Sequence, residues 1–271
     1  MLQEVGPKVF KNQYDLRRAT QAKDYVFAYT NRKILTYHGT IPRVKDVTAD
    51  WQMSTDNYTY LFTISDVAFY LLLERLPERV NAKYVDVLTL RELEPKYLAF
   101  GSATAAQLGE WYATNQYCGQ CGQPMVSMTT ERTLVCPNCH HREYPKISPA
   151  IIVGVTKGDQ ILMTKFATGY DRYALISGYA EIGETLEDTV QREVKEEVGL
   201  AVHHIQYYGS QPWGFSGSLL VGFFAELDND IPIKLEHDEL SQAKWFQRDS
   251  IPRDDTTLSL SWQMIEDFRQ R

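Results

Sequence analysis

Short runs rich in β-branched and aromatic residues recur from Asp24 onward: YVFAYT, KILTYHG, YTYLFTISD, VAFYLLLERL and YVDVLTLREL, each set off by polar turns. This pattern predicts a small mixed or antiparallel sheet over 24–92. The run VAFYLLL reads equally as strand or helix, because a short apolar run does not decide between the two. Residues 1–22 are polar and weakly patterned, a loose arm or a first strand. Over 98–116 the period changes. Ala105, Ala106, Leu108, Trp111 and Tyr112 fall at helical spacing behind Gly101-Ser102, which predicts a helix. From Pro149 the strand pattern returns. AIIVGVT and QILMTKF pair across Lys157-Gly158-Asp159, and RYALISG, HHIQYYGS, LLVGFFAEL and KWFQ supply further strands. Residues 258–271 close as a helix.

One stretch breaks this rhythm: GYAEIGETLEDTVQREVKEEVGL, residues 178–200. Thr185 and Asp188 fit a capping box and Gly199 a C-terminal stop. Leu186, Val190, Val194 and Val198 make an apolar stripe that would seat the helix on a core. Beside it lie Glu193, Glu196 and Glu197, which at about 100° per residue share an arc of roughly 100°. The placement is poor for an isolated helix. Glu193 and Glu197 are a like-charge i,i+4 pair, in the last turns, where the helix dipole disfavours negative charge. A bound divalent cation would reverse both penalties, and carboxylate oxygens suit Mg²⁺ or Mn²⁺. A solvated acidic face is the alternative reading.

Composition narrows the setting. The chain has 271 residues, 44% hydrophobic and 23% charged, with a net charge of −7. That length suits one large domain or two ordinary ones, and the charge argues against broad electrostatic attraction to nucleic acid. Neither an apolar run of membrane-spanning length nor a signal-peptide-like apolar segment at the N-terminus occurs in the sequence, so no membrane association and a cytoplasmic location are expected. The four cysteines, Cys118, Cys121, Cys136 and Cys139, form two C-x2-C pairs separated by fourteen residues. Disulfides are rare in cytosolic proteins, whereas four thiolates at this spacing suit one tetrahedral, structural Zn²⁺. All four positions being protein ligands, His140 and His141 read as surface residues.

Taken together, Gly178, Glu184, Arg192, Glu193, Glu196, Glu197, Gly199 and Leu200 fill the pattern G-x5-E-x7-R-E-V-x-E-E-x-G-L. This stretch resembles the box of the Nudix hydrolases, which cleave a diphosphate linked to another moiety. Three further features resemble the NADH pyrophosphatase branch over 88–270: a zinc ribbon ahead of the box, EYPKISPAIIV at the ribbon exit, and SQPWGFSGS after the box. The branch pattern SQPWPFPxS has prolines where this chain has Gly214 and Ser216. Proline fixes φ and glycine frees it, so a less preorganised or differently shaped loop is expected.

The strand pattern and the resemblance together give an α+β and α/β chain in three parts: an N-terminal mixed-sheet domain (1–97) read from the pattern, then a helix and zinc ribbon (98–146) and, as the resemblance implies, a Nudix α/β/α sandwich (147–271). The resemblance implies metal-dependent hydrolysis of NADH or NAD⁺ to nicotinamide mononucleotide and AMP, removal of NAD caps from RNA, and a homodimer. Glu193, Glu196 and Glu197 would hold Mg²⁺ or Mn²⁺, with the Ser177 carbonyl and Glu239 as further ligands. Glu197, with Glu196 second, would be the base, and Arg192 would pair with Glu184. Tyr144, Tyr179, Gln211, Pro212, Trp213, Gly214, Phe215, Ser216, Gly217, Ser218 and Ser261 would line the dinucleotide site, with Arg91 matched more loosely. Two other readings stay open: a Nudix hydrolase of ADP-ribose or of dinucleoside polyphosphates, and a zinc-ribbon nucleic-acid-binding protein with an inactive Nudix fold.

Overall fold

In the computed structural model, which describes residues 1–169, 172–236, 239–253 and 258–271, the chain forms two units. One is Leu2–Lys146 together with Trp213–Gly217. The other is Met1, Ile147–Pro212 and Ser218–Arg271.

The first unit opens with β1 (Phe10–Lys11), β2 (Tyr25–Thr30), β3 (Lys33–Tyr37), helix α1 (Val44–Trp51), β4 (Thr59–Ile64), β5 (Val67–Leu72) and β6 (Ala82–Asp86). The six strands make one mixed sheet in the order β1-β4-β5-β2-β3-β6, with β2 and β5 parallel. VAFYLLL is a strand, and its rings explain why. Phe69 stacks on Phe62 at 4.9 Å and on Phe27 at 5.7 Å, cross-strand packing that a helix would not provide.

Two local features depart from the sequence pattern. Helix α1 was not anticipated. Its cue is Asp46, whose carboxylate accepts the Arg43 N–H at 2.9 Å, with Val44 and Val47 turned into the core. The strand expected over YVDVLTLREL stops at Asp86. The Asp86 side chain accepts the Leu88 N–H at 2.8 Å and its carbonyl accepts the Thr89 hydroxyl at 2.7 Å. These local bonds offer the backbone an alternative to the ladder, and Val87–Glu92 coils into a 3-10 helix.

Helix α2 (Lys96–Thr114) lies on the sheet where it carries glycines. A Cβ on Gly101 would stand 2.6 Å from the Phe69 ring, and one on Gly109 2.8 Å from the Tyr29 ring. Beyond α2, β7 (Val126–Ser127), β8 (Leu134–Val135) and β9 (Arg142–Glu143) form a three-stranded antiparallel ribbon.

The second unit holds β10 (Ser148–Lys157), β11 (Gln160–Phe166), β12 (Ile176–Tyr179), α3 (Leu186–Val198), β13 (Val202–Trp213), β14 (Ser218–Leu227), β15 (Leu240–Gln247) and α4 (Leu260–Gln270). The sheet runs β13-β14-β10-β11-β15, and β12 also pairs with β10. Strand β10 is parallel to β14 and antiparallel to β11 and β12. Its apolar run is continuous because both faces are covered. Ile151, Val153 and Val155 cluster with Val190, Val194 and Val198 of α3. Ile152 faces the other way and clusters with Leu260, Met264, Ile265 and Phe268 of α4. The result is a helix–sheet–helix sandwich.

Candidate active site

Helix α3 forms as its sequence dictates. The Thr185 hydroxyl accepts the Asp188 N–H at 3.1 Å, and the Asp188 carboxylate accepts the Thr185 N–H at 3.2 Å. At the other end Gly199 takes the left-handed conformation, φ +72°, and its N–H returns to the Lys195 carbonyl. The valine stripe is fully buried, and that anchoring sets the rotation of the helix.

The rotation separates the three glutamates. Glu193 and Glu197 are buried, whereas the Glu196 side chain is 59% exposed. Glu193 is pressed against β12, where a Cβ on Gly178 would stand 1.9 Å from its carboxylate. Only glycine leaves room for that carboxylate. Burial raises the Glu193 pKa, and Arg192 partly offsets this. Glu197 is pushed up to about 8, first by burial and then by the neighbouring charges of Glu193 and Glu239. Its Oε2 is buried and has no hydrogen-bond partner, which is costly for a carboxylate.

Arg192 organises the surroundings. Its guanidinium donates to Glu184 at 2.7 and 3.0 Å, to Glu193 at 2.8 Å, to Glu196 at 3.0 Å and to the Tyr179 carbonyl at 2.9 Å. Glu184 also accepts the Glu181 N–H at 3.1 Å and the hydroxyl of buried Thr189 at 3.0 Å. Arg192 first, then the Glu181 N–H, hold the Glu184 carboxyl down to about 2. This network ties the loop 180–185 to the helix. Thr189 is the member that the sequence pattern did not single out; its only cue is its place five residues after Glu184.

Glu193, Glu197 and Glu239 act on one another through their charges, and one carboxylate oxygen is buried without a partner. An all-oxygen donor set of this kind fits a hard divalent cation. Ser177 precedes Gly178 in β12. Glu239 is exposed, and Asp238 before it lies outside the described residues.

The remaining predicted residues divide between the units. In the second unit, Tyr179 is half-exposed and its hydroxyl is 3.1 Å from the hydroxyl of buried Ser218. Pro212 is exposed, and Ser261 lies half-buried in α4. Gln211 is fully buried: its amide donates to the Leu258 carbonyl at 2.9 Å and accepts the Leu260 N–H at 2.7 Å. Those bonds clamp the start of α4, a role that the SQPW pattern does not disclose.

In the first unit, Arg91 is exposed, 3.8 Å from Glu92, and Tyr144 is exposed at the end of the ribbon. Trp213–Gly217 is a tight turn in that unit. The Ser216 N–H donates to the Trp213 carbonyl at 3.3 Å, the Trp213 and Phe215 rings meet edge-on at 5.1 Å, and Arg32 donates to the Phe215 carbonyl at 3.2 Å. A Cβ on Gly214 would stand 2.3 Å from the Ala103 carbonyl oxygen. Backbone cannot yield there, so a proline at 214 is excluded. Of the two expectations for this loop, less preorganised or differently shaped, the packing and hydrogen bonds at 213–217 favour the second.

The four cysteines converge. Cys118 and Cys139 sulfurs are 3.6 Å apart, Cys121 and Cys136 3.4 Å, and all four ligand atoms lie within 4.8 Å of one another. Sulfurs around one Zn²⁺, at about 2.3 Å each, stand roughly 3.8 Å apart, so the cluster fits zinc. Both knuckles turn alike: Gly122 N–H donates to the Cys118 carbonyl and His140 N–H to the Cys136 carbonyl, with φ of +74° and +61°.

Known proteins agree with this geometry. The NUDIX domain model matches residues 146–268, and the NADH pyrophosphatase zinc ribbon domain model matches 113–144. An NAD-capped RNA hydrolase NudC of Pseudomonas putida is 46% identical over 151 residues, covering 55% of this chain and 54% of that protein. The protein of the same name from Stutzerimonas stutzeri is 40% identical over 170 residues, covering 62% and 60%. The chain thus spans little more than half the length of the curated relatives it matches. A crystal structure of a Nudix hydrolase from Nitrosomonas europaea shares the fold, with a TM-score of 0.50 at 21% identity, covering 57% of this chain and 90% of that one. With box, fold and both domain models in agreement, residues 146–268 are similar to a Nudix domain and residues 113–144 ahead of them to an NADH pyrophosphatase zinc ribbon.

Proposed function

We propose that the chain hydrolyses the pyrophosphate bond of NADH or NAD⁺ to nicotinamide mononucleotide and AMP, and that it also removes NAD caps from RNA 5′ ends. The buried, unpartnered carboxylate oxygen of Glu197, beside buried Glu193, carries this reading. A folded chain retains such an arrangement where a cation completes it. Mg²⁺ or Mn²⁺ bound there supplies charge neutralisation for the diphosphate and a lower pKa for the attacking water.

The protein's own residues do the rest. Glu193, Glu196, Glu197 and Glu239, with the Ser177 carbonyl, would hold the cation. Glu197, with Glu196 second, accepts the proton of the attacking water. Arg192 and Glu184 fix the loop, so the helix presents its carboxylates without rearrangement. Tyr179, placed by Ser218, offers an exposed ring for stacking on a base or nicotinamide. The family resemblance alone adds Arg91, Tyr144, Pro212, Ser261 and the turn 213–217 as substrate contacts. Zn²⁺ on the four cysteines is structural. We assign the protein to a reducing cytoplasm, where four free thiols persist to bind it. Among the described residues no helix is long and apolar enough to cross a membrane. We also assign a homodimer, in which Tyr144 at the ribbon exit serves the partner's site; sedimentation of the zinc-loaded protein tests it.

The substrate test is a competition of NADH, NAD⁺ and NAD-capped RNA, with ADP-ribose and diadenosine polyphosphates as controls. Nicotinamide mononucleotide and AMP as products support the proposal. Turnover of ADP-ribose or diadenosine polyphosphates alone, or RNA binding without turnover, overturns it.

A further inference from the structure

Adjacent strand residues point to opposite faces of a sheet. His203 and His204, at the start of the edge strand β13, do not. His204 has φ +47°, a left-handed conformation uncommon for a residue with a Cβ. That twist brings both imidazoles to the same carboxylate on the neighbouring strand. His203 Nε2 is 3.9 Å and His204 Nδ1 3.5 Å from the same oxygen, Oε2 of Glu226. The two rings are 4.6 Å apart. One ligand atom from each of the three residues lies within 4.8 Å of the others.

We propose that His203, His204 and Glu226 form a binding site for one divalent transition-metal ion, such as Zn²⁺, Ni²⁺ or Co²⁺, distinct from both the glutamate cluster and the cysteine ribbon. Two imidazoles and one carboxylate are a borderline donor set, which suits these ions rather than Mg²⁺. Ligand atoms around a tetrahedral Zn²⁺ with bonds of about 2.0–2.1 Å stand roughly 3.3 Å apart. Bringing the two histidine nitrogens from 3.9 and 3.5 Å to that distance from Glu226 Oε2, with the third pair within 4.8 Å, takes side-chain shifts on the order of 1 Å, in side chains that are 42%, 67% and 60% exposed. The exposed side leaves open positions for water.

The surroundings fit as well. Metal-bound histidines usually turn their other nitrogen to a carboxylate or carbonyl. His203 Nδ1 is buried without a hydrogen-bond partner, and Asp228 Oδ1 is 3.9 Å away. The other oxygen of Asp228 is held by the Asn229 amide at 2.9 Å. With Nε2 on the metal, the Nδ1 proton faces Asp228. The ion would fasten the start of β13 to the end of β14, at the opposite end of β13 from Gln211.

The test titrates Ni²⁺ into the zinc-loaded full chain in saturating Mg²⁺, with calorimetry for stoichiometry and zinc analysis to show that the ribbon keeps its ion. Wild type takes up one equivalent of Ni²⁺, and paramagnetic broadening reaches the His203 and His204 imidazoles. His204→Gly keeps the left-handed backbone, deletes one ligand and weakens uptake at least tenfold. His203→Ala does the same, and Asp228→Asn weakens it about tenfold. Undiminished uptake in His204→Gly and His203→Ala, or no uptake by wild type at millimolar Ni²⁺, overturns the proposal.

Discussion

The ribbon and the glutamate helix each gather metal-ligand side chains, in opposite ways. In the ribbon the four ligands come from two short turns, each set by its own backbone bonds, Gly122 to Cys118 and His140 to Cys136. The protein supplies every coordination position. At the helix the proposed ligands come from separate elements. Glu193 and Glu197 are forced into burial by a valine stripe, Glu193 is accommodated by Gly178 on a strand, and Glu239 comes from the far side of the sequence. There the carboxylates repel one another and one oxygen has no partner. A closed thiolate cage stabilises a small fold. On the proposed function, an open set of carboxylates leaves positions free for a diphosphate and water.

The sharpest break of this contrast is metal removal. Stripping zinc, or replacing Cys118 and Cys136 by serine, unfolds the ribbon, since structural zinc contributes on the order of 10 kcal/mol to such modules. Withdrawing Mg²⁺ leaves the fold intact and abolishes turnover. Circular dichroism and activity measured together check both halves, and a ribbon that stays folded without zinc contradicts the first.

Next comes Gly178→Ala. The new Cβ meets the Glu193 carboxylate, the movable end of a side chain, so the expected outcome is a displaced ligand rather than an unfolded protein. A misplacement of about 1 Å near the reacting groups costs roughly 100-fold in rate. The checks are kcat with Mg²⁺ and thermal unfolding, the latter nearly unchanged.

A smaller effect separates the buried glutamate from the ribbon. In Mg²⁺-free, zinc-loaded protein the Glu197 pKa of about 8 lies above its ordinary 4.5. The folded state then favours the proton. The resulting stability is fully present below about pH 4.5 and is lost as pH rises through about 8. Denaturant unfolding between pH 5 and 8.5 reads it, and Glu197→Gln removes that loss, a difference on the order of 2 kcal/mol.

Local spacing made the box and the cysteine pairs legible, because each is a short-range pattern whose chemistry follows from the intervals. The capped helix over 186–198 and the strands around it follow from periodicity in the same way. What the sequence could not disclose depends on distant packing. Gly178 is needed because Glu193 lies against it, and Gly214 because Ala103 presents a carbonyl there. The burial of Gln211 against Leu258 and Leu260 appears only once α4 is in place. Likewise nothing in HHIQYYGS announces the left-handed turn at His204. VAFYLLL was undecided for the same reason, until Phe27 and Phe62 made it a strand.

The central claim is that Glu197 belongs to a metal-dependent hydrolytic centre acting on NAD(H). The direct measurement is turnover of NADH by wild type and Glu197→Gln under saturating Mg²⁺ or Mn²⁺, with products identified. The account predicts nicotinamide mononucleotide and AMP from wild type and a loss of at least about 100-fold in kcat in the variant. Unchanged turnover by Glu197→Gln would contradict it.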